Sequence, residues 1–491
     1  MSDARKQPAY TRLSGEDLSF WWLDSPMQPT TMAMLMVLDR PPNPERLRQA
    51  FERAVAAVPR LQQRVADAPL DLTLPHWMPD PTFDLDYHVR RHTLAGAADM
   101  EELFREIAPA YETPFDRSRP LWEARVYDGL GPERGSAMFF KLHHAVADGV
   151  GGNAIFAAMT DWERDPVEPG TPANHTAKGT WPEPRPLAVR VFDALRDRVE
   201  LDLERAGAVA GALVDTIQNP ERLGRAVEAV RSIVETFSFD SRSPLKRSAG
   251  RARRLSGLDL PFDQVRVTKN ALGGCMIDVI LTIMARGIGK WHAAHGLRGV
   301  QELMTLVPVN LRKPEEWADK PHVGNVATGI LVPLPIRHRS PLATYREIRK
   351  RMAAKKADPA SAASPMIAEM LSLLPRSLLT WMGEASFGSV DFIVTNVPGI
   401  LMPRYLAGAQ IMAAYPFAPV AMKSPVSVAL YGYHDRLFIG LNSDETTMPD
   451  VDAFKAMIVE SFEELQAAVG KKKPRPARPQ KQPAPNRRKR A

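Results

Sequence analysis

Residues 141–152, KLHHAVADGVGG, set two histidines side by side in a chain with only 11 histidines among its 491 residues. The preceding residues, SAMFFKL (136–142), are mostly apolar and read as a strand. Side chains alternate faces along a strand, so His143 shares a face with Ala137, Phe139 and Lys141. His144 shares the other with Met138, Phe140 and Leu142. One cleft can use only one of the pair directly, and the other braces the backbone by hydrogen bonding. The following AVADGVGGNAIFAAMTDW turns and enters a helix, with Gly149, Gly151 and Gly152 permitting a tight turn. Asp148 is an acceptor when ionised and can tie down an arginine or backbone amides. Histidine titrates near neutral pH, so the pattern suits a general base on a rigid strand end. A metal site is a poor reading, because strand neighbours diverge and no third ligand cluster stands out.

Outward from this stretch, strand-like and helix-like segments alternate. TTMAMLMVLD (30–39) reads as a buried strand and LWEARVYDG (121–129) as another. Residues 43–65 carry an amphipathic helix opened by Asn43 and Pro44 and stopped by Pro59, and 99–116 a second helix. After a Pro-rich linker, residues 187–237 read as bridging helices or as a surface resting on a membrane. The alternation returns with a helix at 274–296, strands at 303–312, 327–336 and 390–399, a hairpin at 426–444 and a closing helix at 450–470. The division is therefore 1–165, a linker and bridging helices over 166–250, a second domain over 251–470, and a tail over 471–491. Mixed elements in both halves give an α/β fold of two domains.

Hydrophobic residues make up 44% and charged residues 25%, as in a soluble globular protein. The single cysteine, Cys275, excludes an intrachain disulfide and fits a reducing compartment. The first 20 residues lack a signal-peptide core, and no apolar run approaches the ~20 residues of a membrane span. A cytosolic or peripheral protein is expected. The tail holds ten lysines and arginines and no acid, which turns the whole-chain +7 into −3 for residues 1–470. Such a tail touches anionic lipid or is simply a solubilising disordered end. No nucleic-acid reading module accompanies it, so a nucleic-acid partner is not expected.

H-H-x-x-x-D-G resembles the signature of the acyl-CoA-dependent acyltransferase superfamily, which includes chloramphenicol acetyltransferase and peptide-synthetase condensation domains. DPTFDLDYHVRRHTL (80–94), PFDRSRPLWEARVYDGL (114–130), VPVNLR (307–312), VGNVATGILVPLPI (323–336), TNVPG (395–399) and RYLAGAQI (404–411) narrow the match. Together they resemble the bacterial wax ester synthase/diacylglycerol acyltransferase family over nearly the whole chain. The resemblance implies two chloramphenicol-acetyltransferase-like domains with the active site at their interface. It implies acyl transfer from acyl-CoA, a substrate rather than a cofactor, to diacylglycerol or a fatty alcohol. His144 carries over as the general base, His143 as a positioning residue, Asp148 as a structural carboxylate paired with an arginine, and Gly149 as the residue that lets the loop turn. Arg64 has two equal readings, the partner of Asp148 and a solvated helix end. Trp122 has two readings, acyl-channel lining and strand packing, of which packing is favoured. The implied location is cytoplasmic, with peripheral attachment at the inner membrane or lipid droplets.

Three departures stand out. Ile277 precedes Asp278 where the family carries asparagine, an amide read as an oxyanion donor, which isoleucine cannot replace. Thr31 stands where histidine is common, and Gln62 where the family has an arginine. Three alternatives stay open: the expected O-acyltransferase, a relative with a different alcohol acceptor, and a non-catalytic lipid-surface protein of the same fold.

Overall fold

The computed structural model describes residues 11–133, 135–166, 187–218, 239–241, 243, 245–246, 250–310, 327–337, 339–357, 388–420, 424 and 426–470. The Pro-rich linker over 167–186, the later bridging stretch 219–238, residues 311–312 and 323–326 of two family-like segments, and the basic tail 471–491 lie outside them.

Helix α1 (Gly15–Leu23) leads into strand β1 (Thr31–Leu38) and helix α2 (Pro44–Ala57). The Asn43 side chain caps α2 by accepting from the Arg46 amide at 3.0 Å, with Pro44 in the first turn. The expected helix over 43–65 ends at Ala57, because Pro59 starts a 3-10 turn and Gln63–Ala66 become a short strand. Strand β2 (Val89–Ala98), helix α3 (Met100–Glu112), β3 (Trp122–Leu130) and β4 (Gly135–His143) follow. A capping box opens α3: Asp99 accepts from the Glu102 amide at 2.8 Å, and Glu102 accepts from the Asp99 amide at 3.0 Å. Helix α4 (Gly149–Met159) and the long α5 (Leu187–Gln218) come next.

The second half runs β5 (Arg253–Pro261), α6 (Phe262–Leu272), α7 (Met276–Ala294), β6 (Glu302–Asn310), β7 (Ala327–Pro335), α8 (Pro341–Lys356) and β8 (Phe392–Ile400). Then come β9 (Tyr405–Leu406), β10 (Ala409–Phe417), the hairpin β11 (Val426–Tyr433) and β12 (Arg436–Asp444), and α9 (Val451–Gly470). Two six-stranded sheets result, in the orders β9-β10-β1-β4-β3-β2 and β7-β6-β8-β11-β12-β5.

Sheet membership does not follow the break near residue 250. Strands β9 and β10 cross from the second half into the first sheet, where β10 pairs with β1, Phe417 opposite Ala33. The crossing strand lies hard against the second sheet. A Cβ on Gly440 of β12 would sit 1.7 Å from the Pro416 carbonyl oxygen, so only glycine fits there. The first core accordingly takes in Leu255, Tyr431, Tyr433 and Phe438 from the second half. This close packing holds the halves in one arrangement and leaves the end of β4 facing the seam. Among the described residues no single helix is long and apolar enough to cross a membrane. Of the bent pair α6–α7, α7 is core, with Val279 to Ala285 buried, while α6 buries only Val265 and Thr268.

Candidate active site

Strand β4 lies between β1 and β3 and every residue of it is buried. Thr31 sits opposite His143 in the β1–β4 register. At the end of β4 the two histidines part. His143 is 1% exposed and closed in on the Lys141 side of the strand. His144, half-buried in the following turn, lines a cavity of about 270 Å³ with Phe140 and Leu142 of its own face.

The cavity lies on the seam. Met32, Met34 and Met36 of β1 form part of one wall, and Phe156 and Met159 of α4 another. The second half supplies Leu306 and Pro308 from β6, Ile393 to Pro398 of β8 in part, and the Pro416–Val420 crossing. An apolar, methionine-rich lining adapts to a flexible hydrocarbon chain. The few polar groups facing it include His144, Asp148, Asn153, Thr30, Gln28 and Asn396.

The His144 ring stacks on Phe20 at 3.8 Å between centroids and 14° between planes. Its amide donates to the Thr30 carbonyl at 2.8 Å. On the closed side, His143 Nδ1 accepts from the Ala145 amide at 3.0 Å, and Nε2 lies 3.1 Å from Thr30 Oγ1. Asp24 Oδ2 stands 3.7 Å from that Nε2. Burial alone would raise the Asp24 carboxyl. The adjacent His143 and hydrogen bonds from the Thr30 amide and Arg117 outweigh it and hold Asp24 down at about 2.

Asp148 is 5% exposed and caps α4, its Oδ1 accepting from the Gly151 amide at 2.8 Å. The expected arginine partner is elsewhere: Arg64 Nη1 donates to the Ser118 carbonyl at 3.4 Å. The carboxylate's place before the first turn of α4 lets it accept from a helix amide. Gly149 also works differently from the loop-turning role expected of it. It opens α4 without a positive φ, and a Cβ there would meet both Val397 methyls at 3.1 Å. The glycine permits a close approach of α4 to Val397 across the seam. Asn153 donates to the Pro398 carbonyl, and Arg404 Nε donates to Thr160 Oγ1 at 2.9 Å, so the second half grips α4 at its middle and just past its C-terminal end.

Trp122 is core: it is 1% exposed, stacks on His88 at 4.5 Å, and donates from Nε1 to the Leu61 carbonyl at 2.8 Å. Cys275 is exposed at the start of α7, away from the cavity lining. Among the described residues no three His, Cys, Asp or Glu side chains gather as a metal would require.

Residues 13–280 match the wax ester synthase/diacylglycerol acyltransferase catalytic domain, and residues 323–466 match the C-terminal domain of the same family. The chain belongs to that family. A Mycobacterium tuberculosis protein provisionally named a diacylglycerol O-acyltransferase is 31% identical over 454 residues, covering 90% of this chain and 88% of the relative. The fold is shared with the wax ester synthase/diacylglycerol acyltransferase of Marinobacter aquaeolei VT8, with TM-score 0.64 at 19% identity, over 94% of this chain and 100% of that one. It is shared also with the starter condensation domain of rhizomide synthetase, solved with C8-CoA and Leu-SNAC, with TM-score 0.57 at 13% identity, over 94% and 95%. The chain is thus an acyltransferase of two chloramphenicol-acetyltransferase-like domains.

Within the wax ester synthase/diacylglycerol acyltransferase frame, the departure at Ile277 loses its expected consequence. Ile277 lies in the first turn of α7, packs against the second core and does not line the cavity. Its neighbour Asp278 accepts from the Cys275 amide at 2.8 Å and so caps the helix. The isoleucine therefore removes no donor from the His144 cavity, and the different-acceptor alternative loses the residue that prompted it. Thr31 is buried, its carbonyl accepting from Tyr111 Oη at 2.7 Å. The Gln62 carbonyl accepts from the Asp80 amide at 2.8 Å. Neither side chain lines the cavity.

Phe20, Thr30 and Asp24 were not foreseen. Their contacts with the histidine pair cross 113 or more residues of chain. The methionines did leave a signal, since Met32, Met34 and Met36 recur at the strand period of two.

Proposed function

We propose that the chain moves a long-chain acyl group from acyl-CoA to the hydroxyl of diacylglycerol or a fatty alcohol, with His144 as general base. The observation that carries this reading is the imidazole of His144 set in the wall of an apolar, methionine-rich cavity between the two halves. An alcohol attacks a thioester slowly until its proton leaves, and an imidazole takes that proton near neutral pH. The oxygen then bonds to the thioester carbon, and the tetrahedral intermediate collapses with cleavage of the carbon–sulfur bond. The departing thiolate recovers the proton from the imidazolium, giving ester and free CoA. The sequence balances with acyl-CoA and alcohol alone and forms no acyl-enzyme. C8-CoA bound to a condensation domain of the same fold supports acyl-CoA as donor. A lipid-soluble acceptor places the work at a membrane or lipid-droplet surface.

The test is mass spectrometry of products after palmitoyl-CoA is mixed with hexadecanol, with dipalmitoylglycerol and with short alcohols. The expected result is one wax ester or triacylglycerol formed per CoA released. CoA release without ester, or no turnover with any acceptor, overturns the reading.

A further inference from the structure

We infer that Thr30 is a positioning residue for His144, fixed in turn by Asp24. This deepens the acyl-transfer reading above and rests on His144 being its base.

The directions of the hydrogen bonds can be followed atom by atom. The Ala145 amide can only donate, so His143 Nδ1, 3.0 Å away, is an acceptor. The ring proton therefore sits on Nε2, which donates to Thr30 Oγ1 at 3.1 Å. That leaves the threonine hydroxyl proton for the Phe20 carbonyl at 3.2 Å or Asp24 Oδ1 at 3.3 Å. The Thr30 amide donates to the same Asp24 oxygen at 2.9 Å. The Thr30 carbonyl accepts from the His144 amide at 2.8 Å.

Thr30 thus bears on several of the contacts around His144. Through its carbonyl it holds the His144 backbone. Through its hydroxyl it holds His143, the preceding residue, and the Phe20 backbone, whose ring stacks on His144. Asp24 fixes Thr30 through its backbone amide and is itself held by Arg117 Nη2 at 3.0 Å, with the guanidinium 4.1 Å above the Trp21 ring. Trp21 also packs on His143 at 5.9 Å. A general base gains from such a brace because a displacement of about 1 Å costs on the order of 100-fold in rate.

The experiment compares Thr30→Val, Thr30→Ser and Asp24→Asn with wild type, reading CoA release from palmitoyl-CoA with hexadecanol or dipalmitoylglycerol as kcat and KM separately. Valine keeps the shape and removes the hydroxyl, and serine keeps the hydroxyl. The expected result for Thr30→Val is a kcat fall of about 10- to 100-fold with the acyl-CoA KM within about two-fold. Thr30→Ser should recover to within about three-fold of wild type. Wild-type kcat in Thr30→Val, a KM effect alone, or equal losses in the serine and valine variants would overturn the inference. Should Thr30→Val not fold, Asp24→Asn decides: a kcat fall of about three- to ten-fold supports the brace, and an unchanged kcat overturns it. His144→Ala in the same assay separates the two readings. If it is inactive while Thr30→Val is fully active, the brace fails and the base stands. If it keeps wild-type turnover, both fail.

Discussion

The two sides of β4 are made by alternate residues of one strand and differ in chemistry. Behind the strand, the Lys141 ammonium is buried and donates to the Ala110 carbonyl at 2.8 Å and to the Thr113 carbonyl, at the end of α3. Burial pushes it down to about 8, against the pull of Glu123. His143 on the same side is closed between Thr30 and the Ala145 amide. In front of the strand, Phe140, Leu142 and His144 face an apolar cavity. The closed side spends its polar groups on one another, which makes a rigid support. The open side leaves an imidazole facing space that a substrate can fill. Two identical side chains thereby acquire different work from a period of two.

The comparison can be broken most sharply by exchanging the two roles. His144→Ala should lower kcat by about 10²- to 10⁴-fold with the melting temperature nearly unchanged. His143→Ala should instead cost about 2–4 kcal/mol of stability, since it leaves the buried Thr30 hydroxyl and Ala145 amide without their partner. Kinetics and thermal melting on the two variants check this, and the same profile in both would erase the distinction.

The seam comes next. Gly149→Val should destabilise by about 1–3 kcal/mol through overlap with Val397, and Val397→Ala should recover part of it in the double variant. Denaturant unfolding of both variants reads the coupling, and additive effects would deny the contact.

The closed side has its own signature in pH. The folded-state pKa of Asp24 lies below its ordinary 3.8, so its stabilisation is fully present above about pH 4 and is lost as pH falls toward 2. Asp24→Asn should remove about 2 kcal/mol at neutral pH and flatten the acid limb of stability against pH. An unchanged slope between pH 4 and 2 would contradict the contacts assigned to that carboxylate. The smallest effect belongs to Ile277→Asn, which should leave kcat within about two-fold, because position 277 packs in the second core. A large gain in turnover would restore the oxyanion role expected from the family resemblance.

Local patterns carried much of this architecture. The alternation in SAMFFKLHH placed the two histidines on opposite sides, and Asn43–Pro44 marked a helix start that the structure keeps. Long-range pairing left no such trace. Strand β10 joins β1 across nearly the whole chain, Phe417 against Ala33, and nothing in AQIMAAYPF announces which sheet will accept it. Edge strand β2 begins VRRHT, too polar for a buried-strand pattern, because only β3 covers it. The brace of Phe20, Asp24 and Thr30 was illegible for the same reason, since its partners meet only after folding. The place of Ile277 was illegible because a residue matched to a family pattern has no stated place until its helix is packed.

The most direct test of the central claim is a crystal structure with a non-hydrolysable palmitoyl-CoA analogue. The account predicts the acyl chain among Met32, Met34 and Phe417, with the thioester-equivalent carbonyl carbon beside the His144 ring and room between them for one hydroxyl. An acyl chain bound elsewhere, or a reacting carbon out of reach of that ring, would contradict it.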